Sequence, residues 1–348
     1  MKTDFLIVGQ GLAGSLLAWQ LIERGKRVLV VDRDEEITSS KVAAGLLTPV
    51  AGAQFKLPKG LKTRLDFAHQ FYWDAEELTG ERFFHHCRIA RLFRNGEEAA
   101  TWKTNREKDP ELAELCTPLE LPEDFPPVDH GGFEMKSGGW LDVPGFLEVT
   151  RQRLLESVSY AIGSVDSREV QETSSGIQWK NVEASAVIFA EGWRAPENHF
   201  FDWLRMNPAA GDILTVEIPD FDTGGKIVNR GKWLLPLGGN RYKVGSNYRH
   251  QFDSIAPCPE ARAELEEHVR QLTQKPFQTL EHECAIRPII QRSQVFGGRH
   301  PRHTNVLLFN GLGSKGVLNG PWHAAQLAEH LTEGTPLPEN VDLRSNLV

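Results

Sequence analysis

The chain has 348 residues, 40% hydrophobic and 25% charged, which is enough to bury a large core and to build two domains. A net charge of -8 and a pI near 5.9 argue against a bulk polyanion as partner, and no apolar stretch approaches the roughly 20 residues of a membrane span. Cys87, Cys116, Cys258 and Cys284 lack CxxC spacing, so neither a metal centre nor a disulfide framework is expected, and the apolar run after Asp4 is too short for a secretory signal. The expectation is a cytoplasmic protein with free thiols.

In chain order, Asp4-Phe5-Leu6-Ile7-Val8 reads as a buried parallel strand, because its apolar run is continuous rather than alternating. It feeds into Gly9-Gln10-Gly11-Leu12-Ala13-Gly14. Glycines at this spacing serve a tight turn, a close backbone approach to a pyrophosphate, and close packing of the next helix. That helix, expected over about Leu12 to Arg24, aims its free N–H groups and positive end at phosphates. Val28 to Val31 make a second strand, and Asp32 stands at its end, where a carboxylate accepts hydrogen bonds from an adenosine ribose. The acid favours FAD or NAD over NADP, although Arg33 beside it keeps the phosphorylated ribose open. Next, Ser39 and Ser40 offer hydroxyls while Ala43, Ala44 and Gly45, ahead of Leu46, remove bulk, as suits backbone passing close to a flat ring and a diphosphate.

Further along, residues 186–190 and 305–309 are apolar strands of the same kind. They end in the turns Ala190-Glu191-Gly192-Trp193 and Gly311-Leu312-Gly313-Ser314-Lys315-Gly316, followed by Val317. Such turns place backbone N–H groups at the carboxyl edge of a parallel sheet, where ligands bind. The fold expected is α/β, α+β overall: a Rossmann-like cofactor domain of residues 1–75, 145–205 and 285–348, with helices from about Pro144 to Ser157 and Pro321 to Leu331. Residues 76–144 and 206–284 read as one mostly antiparallel β-sheet substrate domain. The basic clusters at 85–94 and 299–303 read as solvated strand and loop surface, and no nucleic-acid partner is expected.

The glycine motif with Asp32, the segment 39–47, Trp140-Leu141-Asp142-Val143-Pro144, Ala190-Glu191-Gly192-Trp193, Ile286-Arg287-Pro288 and the turn 311–316 occur in this order over nearly the whole chain. Together they resemble the D-amino acid oxidase-like family of FAD-dependent oxidoreductases, which includes glycine and sarcosine oxidases. The resemblance implies that residues 39–47 lie along the pyrophosphate and isoalloxazine, that Val165 meets adenine, and that residues 313–318 lie at the pyrimidine edge of the flavin. Lys315 would then stabilise the anionic reduced flavin, since donors and a cation placed there favour the charge that develops. The resemblance also puts Arg287 over the flavin as a bidentate clamp for a substrate carboxylate. Tyr248 is the strongest of four further candidates, with Asn247, Lys243 and Trp233, expected on strands facing the ring. No cysteine adjoins the glycine turn or follows Arg287-Pro288, so FAD is expected to be noncovalent.

The activity implied is oxidation of the C–N bond of an amino acid or related amine by hydride transfer to flavin N5. A small-molecule substrate bearing a carboxylate is implied with it. Alternatives are a 2-hydroxy acid dehydrogenase, a flavin oxidase like the one that matures the tRNA wobble uridine, and an inactive FAD-binding interaction protein. The last draws on Arg292 and Val295, which stand where many members place an aspartate and a proline. Oligomeric state is not legible.

Overall fold

The computed structural model describes residues 1–252, 254–290 and 295–346. The amino-terminal part runs β1 (Lys2–Val8), α1 (Leu12–Glu23), β2 (Val28–Asp32), α2 (Ser39–Val42), β3 (Leu46–Leu47) and α3 (Leu61–Thr79). Then come β4 (Phe84–His86), β5 (Ile89–Leu92), α4 (Gly96–Lys108), α5 (Pro110–Leu115), β6 (Cys116–Pro118), β7 (Gly132–Met135), β8 (Gly139–Leu141) and α6 (Val143–Glu156). The middle holds β9 (Tyr160–Ile162), β10 (Gln171–Thr173), β11 (Gly176–Trp179), β12 (Val182–Phe189), β13 (Ala209–Glu217), β14 (Ile227–Arg230), β15 (Lys232–Gly238) and β16 (Arg241–Gly245). The chain finishes with α7 (Pro259–Thr273), β17 (Gln278–Arg287), β18 (Phe296–Arg299), β19 (Val306–Asn310) and α8 (Gly316–Glu333).

These strands form three sheets. The first has the order β10-β11-β12-β1-β2-β9, with β19 against the carboxyl half of β12 and β18 beside β19. Its centre is parallel, from β19 through β12, β1 and β2 to β9, as the continuous apolar runs require. Apolar residues bury both faces, Ile7, Val30 and Ile188 on one and Leu6, Val31 and Val187 on the other. The second sheet has the order β17-β13-β16-β15-β14-β5-β7-β6 and is antiparallel except where β14 meets β5. That parallel pairing, Ile227 opposite Ile89, joins strands from residues 89–135 to strands from residues 209–287. A small sheet β3-β8-β4 is the third. Among the described residues no helix is long and apolar enough to cross a membrane.

Three expectations need correction. Helix α8 begins at Gly316, five residues before the Pro321 start read from the sequence. Proline lacks the N–H that would bond the carbonyl four residues back; here the phenol of Tyr72 donates to that carbonyl, Val317 O, at 3.0 Å, so the helix runs through the proline with the acceptor satisfied. Second, the 85–94 cluster is solvated only in part: His85, His86, Arg88 and Arg94 are exposed, but Arg91 is not. Arg91 is buried and shares Glu98 with Arg94, because α4 covers that edge, and Arg88 pairs with buried Glu134. Third, His300 of the 299–303 cluster is buried, its Nδ1 accepting the N–H groups of Arg302 and His303 to close the turn.

Candidate functional site

The carboxyl ends of β1, β2, β12 and β19 open into one cavity of about 530 Å³ that extends under the second sheet to Arg287. At the first end, Gly9 has φ of +103°, and a Cβ at Gly14 would fall 1.9 Å from Gly9 O. Gly14 therefore sets how closely α1 meets the turn but does not itself line the cavity. Helix α1 has no acid in its first turn, and Ser40 Oγ accepts the N–H of Leu12 at 3.0 Å, tying the 39–47 segment to the helix start. A Cβ at Gly11 would lie 3.1 Å from the same oxygen, so this passage admits backbone and little else. Gly45, at φ +66°, passes so close to Leu141 O that a Cβ would sit 1.9 Å from it.

Asp32 at the end of β2 is already held. Its Oδ2 accepts the N–H of Gln10 at 2.6 Å and its Oδ1 that of Asp34 at 2.7 Å. A carboxylate has about four acceptor sites, so capacity remains on the cavity side. Arg33 faces Glu35 at 3.6 Å and Glu191 at 3.7 Å, which commits its charge to acids. Burial pushes the Glu191 carboxyl up, against the Asn198 Nδ2 hydrogen bond and the Arg33 charge that favour its ionised form. Asn310 binds the two sheet-edge turns together: its Nδ2 donates to Gly192 O at 2.7 Å, and its Oδ1 accepts the N–H of Gly311.

The far end is built differently. Gly313, Ser314, Lys315, Gly316 and Val317 line the cavity at the start of α8, which has no acid in its first turn. Burial lowers the Lys315 ammonium below the usual lysine range, and the charge of Arg64 lowers it further. Across the cavity Arg287, at the end of β17, is half-buried without a carboxylate partner among the described residues. Its Nη1 donates to Asn247 O at 3.0 Å and its Nη2 to Ser246 Oγ. The Tyr248 ring lies 4.2 Å from the guanidinium carbon. Beneath it is Gly211 of β13, where a Cβ would fall 2.1–2.3 Å from the guanidinium atoms. The group is thus stacked between a bare backbone and a phenol ring, its edge fixed by two acceptors.

A buried network behind β13 holds this arrangement. Asp212, fully buried, accepts Arg249 Nε at 3.0 Å and Nη2 at 2.9 Å on Oδ2, while Oδ1 meets His282 Nε2 at 2.9 Å. Asn247 Oδ1 accepts the Asp212 N–H at 2.8 Å, taking a place that a strand carbonyl would fill. Strand β16 therefore ends at Gly245, and Tyr248 stands in a loop rather than on a strand. Asn247 is turned into the protein, and Lys243 pairs with Glu283 at 3.4 Å, so neither lines the cavity, whereas Trp233 does.

Of the residues singled out from sequence, Gly9, Gly11, Leu12, Ala13, Asp32, Arg33, Ser39, Ser40, Ala43 to Leu46 and Val165 line the cavity. So do Ala190 to Trp193, Gly313 to Val317, Tyr248 and Arg287. Gly14 and Gly311 pack behind it. Arg292 lies outside the described residues, and Val295 is buried in the first-sheet core. Sequence reading missed Gly211, Ile213, Asn229, Ser246 and Ile255, which also line the cavity. A glycine interrupting the apolar strand around Gly211 is the one available signal, since such a residue marks a close approach.

The model of the family described as DAO, FAD dependent oxidoreductase, matches residues 4–330. The chain is 24% identical over 360 residues to the tRNA 5-methylaminomethyl-2-thiouridine biosynthesis bifunctional protein MnmC of Marinobacter nauticus, covering 94% of this chain and 55% of that protein. It thus spans about half the length of that relative. Glycine oxidase from Geobacillus kaustophilus superposes with a TM-score of 0.81 at 20% identity, covering 97% of this chain and 96% of the other. Iminodiacetate oxidase from Chelativorans sp. BNC1 gives 0.80 at 17% identity, covering 96% and 97%. These two likenesses show the fold.

Proposed function

The chain belongs to the DAO family of FAD-dependent oxidoreductases, and from that premise we propose that it oxidises the C–N bond of an amine carrying a carboxylate on the adjacent carbon. The observation that carries this reading is Arg287: a half-buried guanidinium held flat at the end of the cavity away from Asp32, with no ion pair among the described residues, since nearby Asp212 is bonded to Arg249 and His282. Leaving such a charge unpaired costs stability, which an anionic substrate returns. The donor set suits noncovalent FAD. Asp32 would hold the ribose, the start of α1 the diphosphate, and the start of α8 with Lys315 the pyrimidine edge. None of the four cysteines lines the cavity, which supports noncovalent binding.

When bound, FAD would supply the two-electron acceptor for the hydride leaving the carbon that bears the amine, and water would hydrolyse the imine product to an oxo acid and ammonia or a free amine. The protein's part is placement. Arg287 grips both carboxylate oxygens and so fixes which hydrogen of the adjacent carbon faces the ring, while Tyr248 and Gly211 keep the guanidinium from swinging. Lys315 holds a positive charge where negative charge develops. The test is anaerobic mixing of the FAD-loaded protein with amino acids, N-substituted glycines and 2-hydroxy acids. Amine-bearing carboxylates are expected to bleach the flavin; bleaching by 2-hydroxy acids alone contradicts the reading.

A second reading is favoured by the match to the bifunctional tRNA-modifying relative over most of this chain. In it the oxidised amine is attached to an RNA base. Salt-dependent binding of tRNA to the purified protein, with flavin reduction by modified tRNA and none by free amino acids, supports it over the first.

A further inference from the structure

Positive charge collects at the Lys315 end of the cavity, and part of it comes from behind the cavity wall. Lys315 is the N-cap of α8, so its ammonium adds to the positive end of an 18-residue helix with no acid in its first turn. Arg64 on α3 is drawn to the same helix end. Its Nε donates to Asn319 Oδ1 at 3.0 Å, and Asn319, four residues after Lys315, shares a side of α8 with it. Nη1 of Arg64 donates to Lys59 O at 2.9 Å. The Tyr72 bond to Val317 O fastens α3 to the first turn of α8, so the arginine is not free to drift away.

Several other cations of the fold are paired with buried carboxylates: Arg91 and Arg94 share Glu98, Lys226 and Arg88 share Glu134, and Arg249 faces Asp212. Here, among the described residues, no carboxylate faces either Arg64 or Lys315, and each is held below its ordinary range by burial. Two like charges and a helix dipole set against one another cost stability in the empty protein. The cost falls when an anion arrives in the cavity. Arg64 does not line the cavity, whereas Lys315 does, and the charge of Arg64 reaches Lys315 from the α3 side.

We propose that Arg64 is a positioning residue that sets the Lys315 ammonium against the flavin edge and thereby favours the reduced, negatively charged cofactor. This rests on residues 313–317 lying at the pyrimidine edge of a bound FAD. The test is the midpoint potential of the FAD-loaded protein, measured by equilibration with a reference dye. Arg64→Gln is expected to weaken the preference for reduced over oxidised flavin about tenfold, about 30 mV more negative for a two-electron couple. Arg64→Lys should restore most of it, and Arg64→Gln should add little on top of Lys315→Met. Asn319→Asp gives Arg64 a carboxylate neighbour while leaving it in place, and should move the potential the same way even if Arg64→Gln does not fold. A shift in Lys315→Met with none in Arg64→Gln or Asn319→Asp overturns the role of Arg64 and leaves the flavin-edge reading standing. No shift in Lys315→Met overturns that reading and the proposal with it.

Discussion

The two ends of the cavity differ in how their charges are settled. At the Asp32 end, each charged group is answered inside the protein: Asp32 by backbone N–H groups, Arg33 by Glu35 and Glu191, Glu191 by Asn198. At the Arg287 end, neither Arg287 nor Lys315 has an ion pair among the described residues, and Asp212, whose charge reaches Arg287, is bonded to Arg249 and His282 instead. A pocket that is electrostatically complete grips its ligand by shape and backbone donors. One that is left positive is prepared for charge that arrives with a substrate or develops in a reaction. The contrast predicts that steric changes matter most at the first end and charge changes at the second.

The largest effect should come from geometry at the first end. Gly14→Ala places a methyl 1.9 Å from Gly9 O, an overpacking that rigid backbone cannot absorb. A loss of about 3 kcal/mol is expected, with a chain that no longer retains FAD. Thermal melting and flavin absorbance after gel filtration measure it; an unchanged melt with flavin retained means that the turn is looser than described.

A smaller effect is expected from removing charge at the other end. Lys315→Met should make the flavin harder to reduce by at least the ~30 mV of a tenfold change, and the pH dependence carries the sign. Burial lowers the pH at which Lys315 loses its proton, and the charge of Arg64 lowers it further. The wild-type potential should therefore fall toward that of the Met variant as pH rises below the ordinary lysine range, and the gap should be constant at lower pH. A gap independent of pH into strongly alkaline solution contradicts the assignment.

The smallest change is expected from Arg33→Ala. Its partly exposed ion pairs are each worth about 0–1 kcal/mol, so FAD affinity measured by titration should stay within about fivefold of wild type. A hundredfold loss instead identifies Arg33 as a direct anchor and erases the contrast between the ends.

The first end was readable because its determinants are contiguous. Strand, glycine turn, helix and terminal acid lie within residues 4–32, and each residue type has a local reason for its place. The paired fate of Arg33 was not readable, since Glu191 is remote in sequence. At the second end the Lys315 turn and Arg287 were found by resemblance, but their setting was not. Gly211 comes under the guanidinium only through the register that sets Ala209 opposite Arg287 and Gly211 opposite Ala285. Tyr248 leaves its strand because Asp212, Arg249 and Asn247 bond one another across 35 to 37 positions, which no local pattern announces. Arg91 and His300 looked like surface for the same reason: helix α4 over one, and the stretch around Phe200 and Phe201 beside the other, are tertiary facts.

The most direct measurement uses acetate, a carboxylate with no C–N bond to oxidise. Titrated into the FAD-loaded protein, it should perturb the flavin absorbance with a saturable dissociation constant. In Arg287→Ala that constant should rise by more than tenfold, corresponding to the roughly 1.5–3 kcal/mol of a hydrogen bond to a charged group, with the flavin still bound. An identical constant in both proteins, or a wild-type spectrum that acetate leaves unmoved, contradicts the claim that Arg287 makes this end of the cavity a carboxylate site.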